Sequence, residues 1–570
     1  MMYTHTQLRI SALALIMFCV SCSSKKDNYS SGDTKPNVIF ILLDDLGYGH
    51  LGMYNDTTTI EDFDPYFVNL VDSLQGYSLE NSLEFTRIAT PTLDKLAREG
   101  VIFSNAYTSS NLCAPSRLGI ATGILQNRMG VYSNDDCELR GITQGTHLAE
   151  RLKQLNYKTA HIGKWHIGKR EESLMTDILK KHSIDTTTNY YLLPDLNSEV
   201  FTEVKNTGFI GSVVKEQHPL ENGFDYYYGY NHWASQYYGD LNVWENYTHA
   251  GKQVGYNTDV FTDKAIQFMS DQLEDNKPFY LQLHYHAVHD SVEIQAPGKY
   301  LDRFNDNSFE LNNFYAHIYG VDQNIRRIIS FLKENEKYEN TMIIFTSDNG
   351  GMTGGSYDGN KSGSPLPGNT PFAGHKGTLH AGGSRVPMFI HWPDRIGELG
   401  TRSNLVSTMD ILPTVIEAAK GVVPSGLDGK SLLPVLDNDK VKVHEHLLWA
   451  GMHAYKWGYL INKSTEEHKT ESAYAPPGWV VVKDDYLLRF VGTREPGIYY
   501  DYLEGSEPVF ELFNLKNDPA ERNNIADKLP EKVEELSEIF RSEAKDFLEP
   551  KDWPITKWKE LIEFEDEMKN

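Results

Sequence analysis

Cysteine and positive charge are both scarce in this chain, and each shortage excludes a class of protein. Only 4 of the 570 residues are cysteine, so the chain is not a small scaffold held together by disulfides. Lys and Arg number 54 against 79 Asp and Glu, for a formal net charge of -25. No nucleic acid partner is expected, because phosphate binding needs a basic surface. An acidic protein still binds an anion where a few cations and a metal converge in one pocket.

Long apolar runs are also rare. Residues 10–20 (ISALALIMFCV) are apolar, but the run is too short to span a membrane and has the length of a signal-peptide core. A polar stretch follows Cys22, as in bacterial lipoprotein signals. This pattern predicts a signal peptide over 1–21, lipidation of Cys22, a polar tether over 22–35, and export to the periplasm or outer membrane with only the lipid in the membrane. The alternative is an ordinary cleaved signal peptide, since Cys19 stands where an aliphatic residue is usual.

The remaining chain alternates buried strands with helices. Asn37–Leu43 and Thr341–Ser347 are continuous apolar, β-branched runs, which predict buried parallel strands. Helices are predicted at 92–99, where Pro91 precedes the first turn, and at 312–335. This alternation predicts an α/β fold built on a large, doubly wound, mostly parallel sheet.

The predicted domain organisation has two parts after the tether. The catalytic domain covers 36–440 and contains two long insertions, at about 53–88 and 170–222, of which the second is polar and irregular in pattern. Loops of that length are usually functional or disordered. From 441 to 570, short strand-like runs and a charged helix predict a smaller α+β domain with an antiparallel sheet.

Acidic and amide side chains follow two of the predicted strands. Asp44 and Asp45 come directly after the first, and Asp348 and Asn349 after the later one. Ligands collect at the carboxyl ends of parallel strands, and oxygen donors suit a hard divalent cation. Each pair alone would equally fit a turn or a helix cap.

The segment Cys113-Ala114-Pro115-Ser116-Arg117 carries the strongest signal. Pro115 suits a first helical turn, which would put Cys113 at a helix N-terminus, where free amides favour an anion. Arg117 adds a planar donor fork. A disulfide from Cys113 to Cys137 is the alternative; otherwise Cys137 is a small apolar filler.

Several separated segments together resemble the formylglycine-dependent (type I) sulfatases, over residues from about 35 to 527. The segments are NVIFILLDDLGYG, TPTLDKLAREGVIFSNAY, CAPSRLGIATG, YKTAHIGKWHIG, TSDNGG, HKGTLHAGGSRVP, MDILPT and ELFNLKNDPAERNNIA. The resemblance implies an alkaline-phosphatase-like fold and hydrolysis of sulfate monoesters. It also implies that a maturation enzyme converts Cys113 to formylglycine. One Ca²⁺, with Mg²⁺ less favoured, would be bound by Asp44, Asp45, Asp348, Asn349 and the modified Cys113.

Lys164 and His166 lie two residues apart, so on an extended segment they face the same side. The resemblance implies that Lys164 contacts the formylglycine and the sulfate, and that His166 is the base for a formylglycine hydroxyl. The alternative is an exposed lysine beside a buried histidine.

A third histidine is expected after the strand PFYLQLHYH. The family places a histidine of an H-x-P turn on the sulfate and on the leaving-group oxygen. Here that histidine is His289, although Val288 replaces the proline. His284 and His286 are nearby candidates for the same role. The other alternative is that His289 is an ordinary histidine on a surface loop.

Lys376 corresponds to the second sulfate-binding lysine of the family. The family usually has Glu before the following Gly-Gly pair, whereas this chain has His380-Ala381. His375 and His380 are further candidates for substrate contact.

The mechanism that the resemblance implies begins with a formylglycine gem-diol, oriented by Arg117 and His166, whose hydroxyl attacks sulfur. The alcohol leaves with a proton from His289 while Lys376 steadies the charge. A covalent sulfo-enzyme remains, and His166 then removes the proton of the second hydroxyl so that sulfate is released.

An exported, tethered enzyme with long insertions suggests a sulfated carbohydrate substrate, such as ulvan, carrageenan, fucoidan or glycosaminoglycan fragments. Trp233, Tyr237, Tyr238 and Trp244 are candidate sugar-stacking residues or ordinary packing. Three alternatives stay open at this point: a phosphate or phosphonate monoesterase, an inactive binder of sulfated glycans, and a surface adhesin.

Overall fold

A computed structural model describes residues 34–71, 76–275, 277–289, 291, 294–353, 363–396, 399–453, 477–491, 509–552 and 555–562. Residues 35–570 cluster as one compact unit. The predicted signal peptide, Cys22 and most of the tether lie outside the described residues, so those predictions stay predictions. No helix in the described ranges has both the length and the apolar character needed to cross a membrane.

Within the described residues the strands are β1 (Asn37–Leu43), β2 (Val101–Phe103), β3 (Ala106–Tyr107), β4 (Lys158–Lys164), β5 (Tyr226–Tyr230), β6 (Trp244–Glu245), β7 (Thr248–His249), β8 (Phe279–His284), β9 (Thr341–Ser347), β10 (Met388–His391), β11 (Gly400–Arg402), β12 (Val406–Ser407), β13 (Leu447–Met452), β14 (Pro477–Lys483), β15 (Tyr486–Val491) and β16 (Val509–Asn514).

The α-helices of the same residues are α1 (Pro65–Leu70), α2 (Leu79–Ala89), α3 (Pro91–Arg98), α4 (Cys113–Thr122), α5 (Asn134–Arg140), α6 (Leu148–Gln154), α7 (Ser173–Lys181), α8 (Leu193–Leu196), α9 (Ser198–Lys205), α10 (Asn257–Asp271), α11 (Gly298–Leu301), α12 (Phe309–Glu334), α13 (Ala381–Ser384), α14 (Ile411–Ala418), α15 (Leu433–Asp437), α16 (Pro530–Ala544) and α17 (Ile555–Ile562).

The large sheet has the strand order β11-β2-β10-β9-β1-β8-β4-β5-β6-β7. β1 pairs in parallel with β8 and β9, and β4 pairs in parallel with β8 and β5, whereas β10 runs antiparallel to both of its neighbours. The predicted mostly parallel α/β sheet is therefore confirmed.

Strand β1 explains why the sheet is covered on both faces. Its residues Ile39, Ile41 and Leu43 belong to one buried apolar cluster, whereas Val38, Phe40 and Leu42 belong to another. Side chains alternate between the two faces of a strand, so a continuous apolar run requires packing on both sides. The helices between the strands supply that packing.

The register of the central strands brings the predicted site together. Leu43 of β1 lies opposite Ser347 of β9, so Asp44 and Asp348 follow at the same edge of the sheet. β8 and β4 end at that edge too, since His284 lies opposite both Leu42 and Gly163.

A second sheet of the described chain is antiparallel, in the order β13-β14-β15-β16. Helix α16 packs on it through Phe540, whose ring stacks on Trp479 with 4.4 Å between ring centroids. This confirms the predicted α+β architecture near the C-terminus, while the domain boundary at 440 stays a prediction within one compact unit.

The prediction that residues 170–222 are irregular is wrong. The segment contains α7, α8 and α9, and it buries its own small apolar cluster, which includes Met175, Leu179, Val200 and Val204. These residues form two i,i+4 pairs among polar neighbours, so each helix has a narrow apolar stripe that is easily missed in the sequence.

Candidate active site

Asp44 is a buried carboxylate that lies beside two cations. Lys164 donates to its Oδ2 at 2.7 Å, and Arg117 lies 3.7 Å from its Oδ1. Burial alone would raise the pKa of Asp44, but Lys164, His289 and Arg117 together hold it well below its usual range. Burial and the neighbouring Asp44 carboxylate raise the pKa of Asp348 to about 6 instead.

Asp45 lies at the centre of a second set of contacts. Lys376 Nζ is 2.7 Å from its Oδ1, Asn349 Nδ2 donates to the same oxygen at 2.8 Å, and His289 Nε2 lies 3.7 Å from Oδ2. The backbone NH of Asp45 donates to Asp348 at 3.2 Å. Asp45 has φ 61°, a left-handed conformation that is rare outside glycine and is common at functional sites.

Oxygen and sulfur donors converge here in a way that suits a cation. Single donor atoms of Asp44, Asp45 and Cys113 all lie within 4.8 Å of one another, and all three residues are buried. Asp44 Oδ1 and Asn349 Oδ1 are buried without a hydrogen-bond partner among the described residues. Buried polar atoms are seldom left unpaired, so these two oxygens are positioned to bind a ligand. The donor set fits a hard divalent cation.

Cys113 is the first residue of α4, and its thiol is buried. Burial raises the pKa of this thiol to about 12, so the unmodified residue is a poor nucleophile at neutral pH. Cys137 is also a free thiol, packed in an apolar cluster. The structure therefore contains no disulfide between the two cysteines. Cys137 instead packs as a small apolar side chain within this cluster.

Arg117 lies one turn along α4 and joins the strand ends. Its Nε and one terminal nitrogen bind Asp348 Oδ2 at 2.9 and 2.8 Å, and its other terminal nitrogen donates to the Lys164 carbonyl at 3.0 Å. Asp348 and Asp44 raise the pKa of Arg117 against the effect of burial. The guanidinium is thus a permanent, fixed cation in the site.

Lys164 ends β4 and His166 follows two residues later. Lys164 Nζ donates to Asp44 and also to the Trp233 carbonyl, at 2.6 Å. Both ring nitrogens of His166 are buried and lack a hydrogen-bond partner among the described residues. Burial and the Lys164 charge lower the pKa of His166 well below its usual value, so this imidazole is neutral and has a free acceptor nitrogen.

Of the three candidate histidines after β8, His289 is the one that faces Asp45. His284 lies behind Arg117, with 3.3 Å between Nδ1 and the guanidinium, and His286 bonds to the Tyr230 hydroxyl at 3.1 Å. The Tyr237 hydroxyl donates to the His289 carbonyl at 2.9 Å and fixes this loop. Asp290 lies outside the described residues.

Lys376 reaches the site, whereas the two histidines around it point elsewhere. His375 is buried, with its Nδ1 2.6 Å from the carbonyl of Lys376. His380 is buried against Glu521 at 2.9 Å and Arg489 at 2.7 Å. Both candidates for substrate contact therefore lie in packed surroundings rather than at an open surface.

The four candidate aromatic residues fall into different environments. Trp233 is 43% exposed and its ring lies 5.9 Å from that of His289. Tyr237 is buried in the hydrophobic core. The indole NH of Trp244, in the β6 hairpin, donates to the Gly208 carbonyl at 3.1 Å. Tyr238 is 41% exposed and lines a separate cavity.

Two residues at the mouth of the site, Tyr191 and His232, were not predicted from the sequence. Tyr191 comes from the helical insertion, is 48% exposed and lies 3.5 Å from the Trp233 indole nitrogen through its hydroxyl. The same hydroxyl is 3.3 Å from Nε2 of the buried His232. His232 and Trp233 come directly after a buried strand, and that position could have identified them as site residues. The sequence gives no comparable indication for Tyr191.

Comparisons with known proteins identify the family. The sulfatase family model matches residues 36–422, and a second model, the C-terminal region of N-sulphoglucosamine sulphohydrolase, matches residues 375–546. The uncharacterized sulfatase YdeN of Escherichia coli (strain K12) is 33% identical over 520 residues, covering 89% of this chain and 85% of that protein. An N-acetylgalactosamine-6-O-sulfatase of Bacteroides thetaiotaomicron is 26% identical, covering 92% and 97%.

Solved structures show the same fold. Ps i-CgsB in complex with k-i-k-neocarrahexaose has a TM-score of 0.64 at 21% identity, covering 92% of this chain and 97% of that one. The putative sulfatase yidJ of Bacteroides fragilis has a TM-score of 0.62 at 20% identity, covering 90% and 97%. The family match over most of the chain settles the classification: this protein belongs to the sulfatase family and is a sulfuric ester hydrolase.

Proposed function

We propose that this enzyme hydrolyses sulfate esters on a sulfated carbohydrate, with formylglycine made from Cys113 as nucleophile and one Ca²⁺ as cofactor. The observation that carries the proposal is the convergence of Cys113 with two strand-end acidic pairs and three buried cations. Those cations are Arg117, Lys164 and Lys376. A pocket of that composition neutralises an anion at the N-terminus of α4.

The metal would be held by Asp44, Asp45, Asp348, Asn349 and the modified Cys113. The unpaired Asp44 Oδ1 and Asn349 Oδ1 support this set, as does the clustering of Asp44, Asp45 and Cys113. A bound Ca²⁺ supplies charge neutralisation for the sulfate oxygens. Hydrated formylglycine supplies one hydroxyl to attack sulfur and a second that permits release of sulfate.

The cations have separate tasks. Arg117 is held by Asp348 and lies beside Asp44, so it can orient the modified Cys113 without moving. Lys164 approaches from the end of β4 and Lys376 from the loop between β9 and β10, and they contact Asp44 and Asp45 respectively. We assign both lysines to the sulfate oxygens, because fixed cations stabilise the charge that develops on them.

Two histidines move protons. His166 is buried and neutral, with unpaired nitrogens, and so is suited to accept a proton from a hydroxyl at position 113. His289 lies 3.7 Å from Asp45, a partner that favours its protonated form. We assign His289 to donate a proton to the leaving alcohol.

The surroundings of His289 favour a sugar as that alcohol. Trp233 presents an exposed indole beside His289, with the Tyr191 hydroxyl next to it. Aromatic faces with a polar tip suit the apolar faces and hydroxyls of a pyranose. Similar proteins also include an N-acetylgalactosamine-6-O-sulfatase and a protein solved in complex with a neocarrahexaose.

The first experiment is peptide mass spectrometry across Cys113, on protein from a host with the maturation enzyme. We expect the mass loss that replaces a thiol by an aldehyde, together with sulfate release from 4-methylumbelliferyl sulfate well above phosphate release from the phosphate analogue. An unmodified Cys113 thiol in fully active protein would overturn the mechanism. A preference for the phosphate ester would favour the phosphatase alternative.

We further propose that the chain is exported and anchored by a lipid on Cys22, with the 22–35 segment as tether. The apolar run, the cysteine and the polar stretch after it support this reading. Metabolic labelling with palmitate should label the wild type and leave Cys22→Ser unlabelled. Equal labelling of both, or of neither, would contradict the anchor.

A further inference from the structure

A cavity of about 500 Å³ is lined by residues that follow Trp233 along the chain. Its lining residues are Gln236, Tyr238, Gly239, Lys252, Gln253 and Val254. None of these residues takes part in the site described above. The cavity combines one aromatic ring, two amide side chains and one cation around an open space, and such convergent polar groups are typical of a ligand site.

Gln253 gives the strongest indication of a ligand. Its side chain is 5% exposed, and both its amide oxygen and its amide nitrogen lack a hydrogen-bond partner among the described residues. Its backbone is held, since the Gln253 NH donates to the Asp240 carbonyl at 2.8 Å. A buried amide with neither group paired destabilises the fold, and a ligand with hydroxyl or amide groups would supply the missing hydrogen bonds.

Lys252 and Tyr238 frame the same space. Lys252 is exposed and forms no ion pair within the described ranges, and its Cε lies only 2.9 Å from where a Cβ would stand on Gly239. Gly239 has φ +68°, so a glycine here both permits the turn and leaves room for the lysine. The Tyr238 ring rests against Tyr256, with 5.6 Å between ring centroids, and is still 41% exposed.

The chain connects this cavity to the reacting centre. Trp233 is tied to Lys164 through its carbonyl, and Tyr237 to His289 through its hydroxyl. Tyr238 follows Tyr237 directly and is five residues from Trp233, which limits their separation to about 18 Å of extended chain. An oligosaccharide of a few sugar units can span any separation within that limit and so reach both aromatic rings.

We propose that the Tyr238–Lys252–Gln253 cavity is a distal sugar subsite that binds a second, acidic pyranose of an oligosaccharide whose sulfated residue lies at Trp233. Tyr238 would stack on the sugar face, the Gln253 amide would bind hydroxyl or acetamido groups, and Lys252 would pair with a sulfate or carboxylate. The inference rests on the proposed function, and it makes the enzyme selective for oligomers over monosaccharides.

The test compares substrates of different length. Disaccharide and hexasaccharide fractions of ι-carrageenan and of chondroitin 6-sulfate are assayed beside 4-methylumbelliferyl sulfate, for the wild type, Tyr238→Ala and Lys252→Gln. We expect the wild type to prefer the hexasaccharide of one polymer. Each variant should lose about tenfold in kcat/KM on that hexasaccharide, as expected for the loss of one stacked ring in Tyr238→Ala or one hydrogen bond to a charged group in Lys252→Gln, with the aryl ester unchanged.

Two control variants match the substitutions. Tyr247→Ala removes an exposed tyrosine of the β6 hairpin region, and Lys440→Gln removes an exposed lysine; neither should alter length preference. Equal kcat/KM for both lengths in the wild type, or an equal loss on every substrate in the variants, would overturn the distal subsite while leaving the sulfatase proposal intact. Absence of sulfate release from all substrates would instead overturn the proposed function.

Discussion

Residues 375–380 join two clusters of buried charge that differ in how their polar atoms are paired. Lys376 points to Asp45 and the strand ends, whereas His380 points to Glu521 and Arg489. In the second cluster Arg489 donates to Glu511 at 2.9 and 2.8 Å and to Glu521 at 2.7 Å. The remaining oxygen of Glu521 accepts from the Ala381 NH at 2.7 Å.

The first cluster lacks this completeness. Asp44 Oδ1, Asn349 Oδ1 and both nitrogens of His166 have no hydrogen-bond partner among the described residues. Fully paired buried networks stabilise and specify a fold, whereas unpaired buried atoms are costly. The comparison therefore separates a fully paired cluster, called here the Arg489 cluster, from the active-site cluster, which contains unpaired buried atoms. Four sets of variants test that separation.

The largest expected effect is on turnover. Cys113→Ala should lower kcat by on the order of 10³-fold or more, because it removes the proposed nucleophile. Its thermal stability should change little, since only a small side chain is lost. Cys137→Ala is the matched control, because that thiol is equally buried; it should keep sulfatase activity. Sulfate release by Cys113→Ala at the wild-type rate would remove Cys113 from the mechanism.

The Arg489 cluster should respond in the opposite way. Arg489→Met leaves two buried carboxylates without their cation, and breaking a buried pair by removing one partner costs about 3–5 kcal/mol. Urea unfolding measures this loss. The control is Arg98→Met, which breaks the exposed pair to Asp56 and should cost at most about 1 kcal/mol. Equal stabilities of the two variants would show that the Arg489 cluster is not a structural element.

Metal removal tests the open oxygens directly. EGTA should lower the melting temperature, and Ca²⁺ at a hundred times its Kd should restore about 2.7 kcal/mol of stability. Asn349→Leu should lose the response to Ca²⁺, whereas Asn335→Leu, at the end of α12, should keep it. A wild-type melting temperature that changes with neither EGTA nor Ca²⁺ would contradict the proposal of a cation at this position.

The two clusters also differ in how far they could be predicted. Asp44 and Asp348 each follow a continuous apolar strand, so a local pattern places both at one edge of the sheet, and the structure brings them there. His380 and Glu521 are 141 residues apart and meet only because the second sheet packs on the loop. No local periodicity in the sequence predicts that contact. The same holds for Tyr191, since a narrow helical stripe in the insertion determines where it lies.

The smallest expected effect sharpens the comparison within one residue type. His166→Leu removes two unpaired buried nitrogens and should raise the free energy of unfolding by about 1 kcal/mol while abolishing turnover. His380→Leu removes a partner of Glu521 and should lower it by about 1–3 kcal/mol. Urea unfolding in EGTA measures both without a contribution from bound metal. Equal destabilisation by both substitutions would show that His166 stabilises the fold as His380 does. Unpaired atoms would then not distinguish the active-site cluster from the Arg489 cluster.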